Sequence, residues 1–472
     1  MRTILFLLLS VFASLAPAGS DDLPELGDAS QSALSPAQER GVGESIMRQI
    51  RGLPGFVDDA EVTDYLNDIG YRLVSVSTDA RQDFSFFALM DNSVNAFALP
   101  GGFIGVHSAL LLTSQSESEF AAVLSHEVAH VTQRHIARMI AAQQRQGLAS
   151  MAAIAIAILA ARSNPQAAAG AIAAAQAQAL SERLAFTRDN EREADRIGVQ
   201  ILEKAGFDPH AMPVFLDRLQ KATKVLDSGA PTYMRTHPVT FERIADVQNR
   251  TFGLAYKQVP DSLEFQLVRA KLRSRQKDPR EAVVFFDDLI AERKFSNEVA
   301  AQYGLVEALR LAKMERRLPA ELEKLRKIAP RHPMLTTAEA RTLLALGRMQ
   351  DALAVMKAGM KEFPTHRALI YDYAEQLIAS KRAEEANVVI ENRMQKDPND
   401  GRLYELQAKA YSELGKTMLK HRSLAEAYLA AGNLPLAIEQ LKLALKNNDG
   451  DFYTVSSIEA RIRELSAIAA KR

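Results

Sequence analysis

Ser125-His126-Glu127-Val128-Ala129-His130 decides how this 472-residue chain is read. The run has the form HExxH. On a helix, positions four apart lie on one face, so His126 and His130 present two imidazole nitrogens to one point. Glu127 brings a carboxylate to that point from the side. Two neutral imidazoles and a neighbouring carboxylate are the residues of a catalytic zinc site. The imidazoles hold the metal and the carboxylate accepts a proton from the attacking water. Ser116 and Glu119 form the S-x-x-E pattern of a capping box, which starts the helix. Phe120, Ala121, Ala122, Val123, Leu124, Val128, Ala129 and Val131 make it mostly apolar. Both His are therefore expected to be at least partly buried, where an imidazole needs a partner.

Working outward, residues 1–18 read as a secretory signal. Arg2 supplies the positive start, Ile4 to Leu15 the apolar stretch, and Ala16-Pro17-Ala18 the cleavage site. There is no Cys in the chain, so disulfides and cysteine metal ligands are excluded. An exported chain without disulfides fits a periplasm. Lys+Arg and Asp+Glu are both 58, which gives no global charge for nucleic acid. Ser35-Pro36-Ala37-Gln38 starts a helix to about Arg51. Asp58 with Glu61 starts a second one through Val74.

The period changes between residues 83 and 107. Phe84, Phe86 and Ala88 alternate in a strand-like run; Asn95-Ala96-Phe97-Ala98-Leu99, Pro100-Gly101-Gly102 and Phe103-Ile104-Gly105-Val106 then read as strand, turn, strand. Either this is an ordinary hairpin of the core, or one strand is an exposed edge beside the metal along which a peptide adds as a further strand. Residues 148–180 hold two Ala-rich runs broken by Arg162-Ser163-Asn164-Pro165, each too short to span a membrane. They are read as a packed helical hairpin, with a membrane-touching element as the alternative.

A catalytic zinc commonly has three protein ligands. The candidate stretch for the third is Asn190-Glu191-Arg192-Glu193-Ala194-Asp195. Glu191 and Asp195 are four apart and share a face, whereas Glu193 points elsewhere. A solvated charge run has the same spacing, and spacing alone favours it.

HExxH followed by this ExxxD resembles the gluzincin metallopeptidases of the HtpX and Ste-type CAAX-protease superfamily. Asn95 to Gly102 resembles that family's edge-strand segment, and Thr236-His237-Pro238 with Arg243 its later His-Pro and Arg element. The likeness covers roughly residues 35–255. It implies one Zn2+ per chain held by His126, His130 and Glu191, with Glu127 as catalytic base and Asp195 behind a ligand imidazole. It implies substrate contacts at Asn95, Ala96, Phe97 and Arg243. His237 is implied either as a catalytic group stabilising the oxyanion or as a fourth metal ligand. Membrane-embedded relatives have full spanning segments, which this chain lacks.

Beyond residue 260 the chain is Ala/Leu-rich and repeats every 34 residues. Pro330, Pro364 and Pro398 keep that step, as do Ala340, Ala374 and Ala408, and Ala352 and Ala386. Gly347 and Gly415 bracket Lys381 at the turn position. A better-formed unit spans 418–451, half a period out of phase. This is the tetratricopeptide pattern, and it stacks into a solenoid with a concave groove for a partner. Its repeats bury their apolar faces against one another, so the catalytic unit is expected to fold without them.

The expected fold is mainly α with a small β-sheet. A signal peptide at 1–18 precedes a zincin-type metallopeptidase domain at 19–255 and an α-solenoid of tetratricopeptide repeats at 260–472. The expected function is a periplasmic zinc metalloendopeptidase. Resemblance implies clients among outer-membrane β-barrel proteins and their assembly machinery, such as LptD and BamA. The balanced charge points to no nucleic acid, and the short apolar runs to contact with membrane that is peripheral at most. The alternative is a chaperone or assembly factor acting through its repeats, with a largely latent protease.

Overall fold

A computed structural model describes residues 35–77, 83–142, 188–225 and 232–471. The expected signal at 1–18 and the Ala-rich runs at 148–180 lie outside the described residues.

Helix α1 (Pro36–Arg51) starts at Ser35 with the full capping box. Helix α2 (Ala60–Val74) is capped by Asp59, not Asp58: the extended backbone of Asp59 lets its carboxylate accept from the N–H groups of Glu61 and Val62. Strands β1 (Ser85–Leu89), β2 (Ala96–Leu99) and β3 (Phe103–His107) form one sheet in the order β1-β3-β2. β3 runs parallel to β1 and antiparallel to β2. The β2–β3 turn needs Gly101 and Gly102, whose φ values are 78° and 84°. β2 is thus an edge strand. His107 N–H donates to Asn95 O, so by alternation Ala96 and Ala98 turn their backbone groups away from β3.

Helices α3 (Ser108–Thr113) and α4 (Glu117–Thr132) follow. α4 carries HExxH and is buried along its whole length. Ser116 accepts from Glu119 N–H as expected, but the Glu119 carboxylate accepts from Gln115 N–H and pairs with Arg218. Around α4 stand α2, β2, α5 (His135–Ala142), α6 (Arg188–Lys204) and α7 (Ala211–Val225). Helices α8 (Thr232–Thr236) and α9 (Phe241–Thr251) close this part. No helix among the described residues is long and apolar enough to cross a membrane.

Twelve further helices run from α10 (Leu263–Arg275) through α11 (Pro279–Ala291), α12 (Glu298–Leu311), α13 (Leu318–Ile328), α14 (Pro333–Ala345), α15 (Met349–Glu362), α16 (Arg367–Ala379), α17 (Ala383–Met394), α18 (Gly401–Glu413), α19 (Thr417–Ala430) and α20 (Leu434–Ala444) to α21 (Phe452–Lys471). Ala340, Ala352, Ala374 and Ala386 are fully buried in this stack. The backbone carries the period further than the side chains do. Lys313, Gly347, Lys381 and Gly415 all have left-handed φ, between 55° and 72°. Gly432 has φ 75° half a period later, which matches the phase shift read from the sequence.

The repeats do not stand apart from the catalytic part. Phe265 of α10 lies in an aromatic cluster with Tyr65 and Phe120, at ring separations of 6.2–6.4 Å. The Glu117 carboxylate accepts from Ser262, and Asp261 accepts from Glu117 N–H, so the starts of α4 and α10 cap each other. One apolar core runs from Val57 to Ala338. A chain cut at residue 260 would open that core, and the expectation of self-sufficient folding is revised: the apolar faces of the first repeat helices are buried partly against the catalytic part.

Lys271 of α10 is fully buried between Asp59 (2.7 Å) and Glu61, and Arg275 adds to Asp59 at 2.9 Å. Further along the stack, His366 reaches Glu61 at 3.1 Å and Arg367 pairs with Asp64. Removing one partner of a buried pair strands the other's charge, so Lys271→Ala is expected to cost about 3–5 kcal/mol at neutral pH. Burial opposes the Glu61 charge, but Lys271, His366 and Arg341 hold its carboxyl well below the usual range. Unfolded carboxylates titrate near ~4. A depressed folded value gives stability that is complete above that range and is lost as pH falls from it through the lower, folded value. The gap between wild type and Lys271→Ala in denaturant titrations should therefore shrink on acidification; a gap constant from pH ~7 to pH ~3 would contradict this.

Candidate metal centre

α4 presents His126 and His130 to a point where α6 crosses it closely. The crossing depends on Gly198, where a Cβ would lie 3.2 Å from His126 N. That approach brings Glu191 and Asp195, on one face of α6, to the two imidazoles. His126 Nε2 and His130 Nε2 are 3.0 Å apart. Glu191 lies 3.4 Å from each, through Oε2 and Oε1. His237 Nδ1 completes the group, 2.9 Å from Glu191 Oε1 and 3.4 Å from His126 Nε2. All four side chains are buried. Zinc bonds of about 2.0–2.2 Å in a tetrahedron require donors roughly 3.3–3.6 Å apart. Several donor pairs, at 2.9–3.4 Å, come close to that cage, and one donor from each residue can be chosen with all four within 4.8 Å of one another.

Charge points the same way. Glu127, Glu191 and Asp195 are buried carboxylates, and among the described residues Arg243 is the one fixed cation against them. With the imidazoles neutral, as metal ligands are, and the carboxylates ionised, two negative charges are left over, which is the deficit a divalent cation fills. Neither oxygen of Glu127 has a well-formed hydrogen bond; its polar neighbours are His237 Nε2 at 3.4 Å and the Ala98 backbone on β2. Burial pushes its carboxyl above the usual value. Burial disfavours charge on His126 too, yet its hydrogen bonds to Asp195 and Glu191 carry it up to about 10. Burial holds His130 well below its usual value against the Glu191 contact.

Asp195 Oδ1 accepts from His126 Nδ1 at 2.9 Å, and Arg243 grips Asp195 with two bonds of 2.8 Å. Arg243 also pairs with Glu191 at 2.6 Å and donates to Pro238 O at 2.8 Å. Arg243 was expected at the substrate. It is 3% exposed with its donors directed inward, so its place is behind the site. Asn95 and Ala96 are buried and Phe97 partly so. The outward backbone of β2 lies beside Glu127. His237 follows α8, stacked on Tyr233 at 4.8 Å, and Tyr233 N–H donates to Val94 O just ahead of the edge strand.

Residues 60–251 match peptidase family M48, and residues 321–410 match a tetratricopeptide repeat. The "Beta-barrel assembly-enhancing protease" of Escherichia coli (strain K12) is 31% identical over 458 residues, covering 96% of this chain and 93% of that protein. The chain belongs to peptidase family M48. A "Putative beta-barrel assembly-enhancing protease" of Vibrio cholerae is 32% identical over 476 residues, covering 100% and 95%. The "Mitochondrial metalloendopeptidase OMA1" of Schizosaccharomyces pombe is 31% identical over 185 residues, covering 39% and 51%. This M48 chain is a metallopeptidase with tetratricopeptide repeats. Its metal centre has one side that sequence reasoning missed. His135, five residues past His130, meets His130 ring to ring, with Glu193 and Arg138 behind it. A five-residue offset carries no same-face signal on a helix, so the motif alone did not single it out.

Proposed function

We propose that this chain is a periplasmic zinc endopeptidase that degrades misfolded or stalled outer-membrane β-barrel proteins and assists their assembly, with its repeats engaging the clients or their assembly machinery. The cage of His126, His130 and Glu191 beside an orphaned Glu127 carries the peptidase half. The names of the full-length relatives support the client class; partners of the BamA and LptD type rest on the family resemblance alone. When bound, zinc lowers the pKa of water and polarises a carbonyl. His126, His130 and Glu191 would hold it. Ala96 and Ala98 on the β2 edge offer backbone groups to an extended peptide, which adds as a strand and brings its carbonyl past Glu127. Glu127 takes the proton of the attacking water and delivers it to the leaving amine. Asp195 and Arg243 keep His126 turned to the metal.

His237 favours a second element in this reading: a resting enzyme that is mostly shut. Its Nδ1 sits within the donor cage rather than at the rim, and its ring is 1% exposed. A fourth protein ligand leaves no position for water.

Glu191→Gln should lower zinc affinity by a thousandfold or so, at ~4 kcal/mol, and Glu193→Gln far less. Equal loss in both would misassign the ligand. For the client class, the zinc-loaded chain should cleave an unfolded outer-membrane β-barrel protein and spare its folded form. Cleavage of an unrelated unfolded soluble protein at the same rate would remove the β-barrel restriction.

A further inference from the structure

We infer that His135, backed by Glu193 and Arg138, is a positioning residue that fixes the His130 ring for metal binding. This rests on the metal centre proposed above. A histidine that ligates through Nε2 must carry its proton on Nδ1, and that proton needs an acceptor. For His126 the acceptor is Asp195. For His130 the atom facing Nδ1 is Nδ1 of His135, at 2.8 Å. An imidazole nitrogen accepts only when the ring's proton sits on the other nitrogen. His135 therefore carries its proton on Nε2, where Glu193 Oε2 accepts it at 3.1 Å. Arg138, one turn on along α5, donates to the same oxygen at 2.6 Å. The donor directions run one way, from His130 through His135 to Glu193, and Arg138 fixes the far end. The reverse direction fails: protonation of His135 at Nδ1 would require His130 Nδ1 to accept, which puts the His130 proton on Nε2 inside the donor cage.

The chain bends to build this contact. α4 ends at Thr132, and Arg134 has φ 52°, a left-handed conformation that strains a non-glycine residue. That turn folds α5 back so that His135, fully buried, meets His130 with ring centroids 4.8 Å apart. The Arg134 side chain holds the bend through an ion pair to Glu39 of α1. α6 thereby serves both imidazoles. Asp195 stands behind His126, and Glu193 stands behind His130 through one intervening ring.

The test uses the full chain, stripped and titrated with zinc against a competing chelator. His135→Phe keeps a ring but removes both nitrogens. It should weaken zinc binding 10–100-fold, while the stripped chain melts within a few degrees of wild type. His135→Gln can accept from His130 and donate to Glu193, and should recover affinity to within about threefold of wild type. Glu193→Gln changes a part-exposed side chain and serves if the His135 variants fold poorly; it should weaken zinc binding several-fold. Unchanged affinity in His135→Phe or, where that variant does not fold, in Glu193→Gln overturns the proposal. So does a His135→Gln variant as weak as His135→Phe at equal melting temperature. A wild type that binds no zinc would instead remove the metal centre itself, and this inference with it.

Discussion

Glu127→Gln should abolish peptide hydrolysis and leave zinc bound. The amide has the shape of the carboxylate but cannot take a proton from water at neutral pH, and general-base catalysis contributes about 10²–10⁴-fold. His126, His130 and Glu191 remain in place. Because neither Glu127 oxygen makes a well-formed hydrogen bond, the substitution breaks no network on which the fold depends. It also removes a buried carboxylate from a centre already rich in them, so the stripped chain should melt at or above the wild-type temperature. The measurement pairs peptide hydrolysis with zinc content. A variant hydrolysing at near wild-type rate would take Glu127 out of the mechanism.

His237→Ala should do the opposite and raise proteolysis, self-cleavage included. Four donors in a buried cage leave no room for water, whereas three leave the open position of a catalytic centre. Removing the His237 ring also frees the space between Tyr233 and Glu127. If the closed form dominates by a hundredfold, which corresponds to roughly 2.7 kcal/mol, the variant should gain up to that factor. Zinc should stay bound to the remaining three ligands. A fall in activity would assign His237 to the oxyanion instead. Unchanged activity and unchanged metal coordination would leave it without either role.

Much of the centre could be read from the chain because its parts repeat at helical spacing. His126 and His130 are four apart, as are Glu191 and Asp195, and both pairs meet where α4 and α6 cross. The meeting itself was not legible, since it depends on Gly198 allowing two helices to touch. That the face of Glu191 and Asp195 turned to the metal and not to solvent came from family likeness, because a solvated charge run has the same spacing. His135 escaped because its reach is set by the backbone at Arg134, and no side-chain pattern announces a left-handed Arg. Arg243 was placed at the substrate, whereas Asp195 and Glu191 draw it inward. The repeat period was plain in Pro330, Pro364 and Pro398. The join between repeats and catalytic part was not, since Lys271 and Glu61 look like ordinary surface charges until the fold buries them together.

The most direct measurement follows cleavage of an unfolded β-barrel protein as zinc is titrated into the stripped full chain. Activity should rise linearly and break at one zinc per chain. Full activity without zinc, or a rise with no break near one equivalent, would contradict a catalytic metal held by His126, His130 and Glu191.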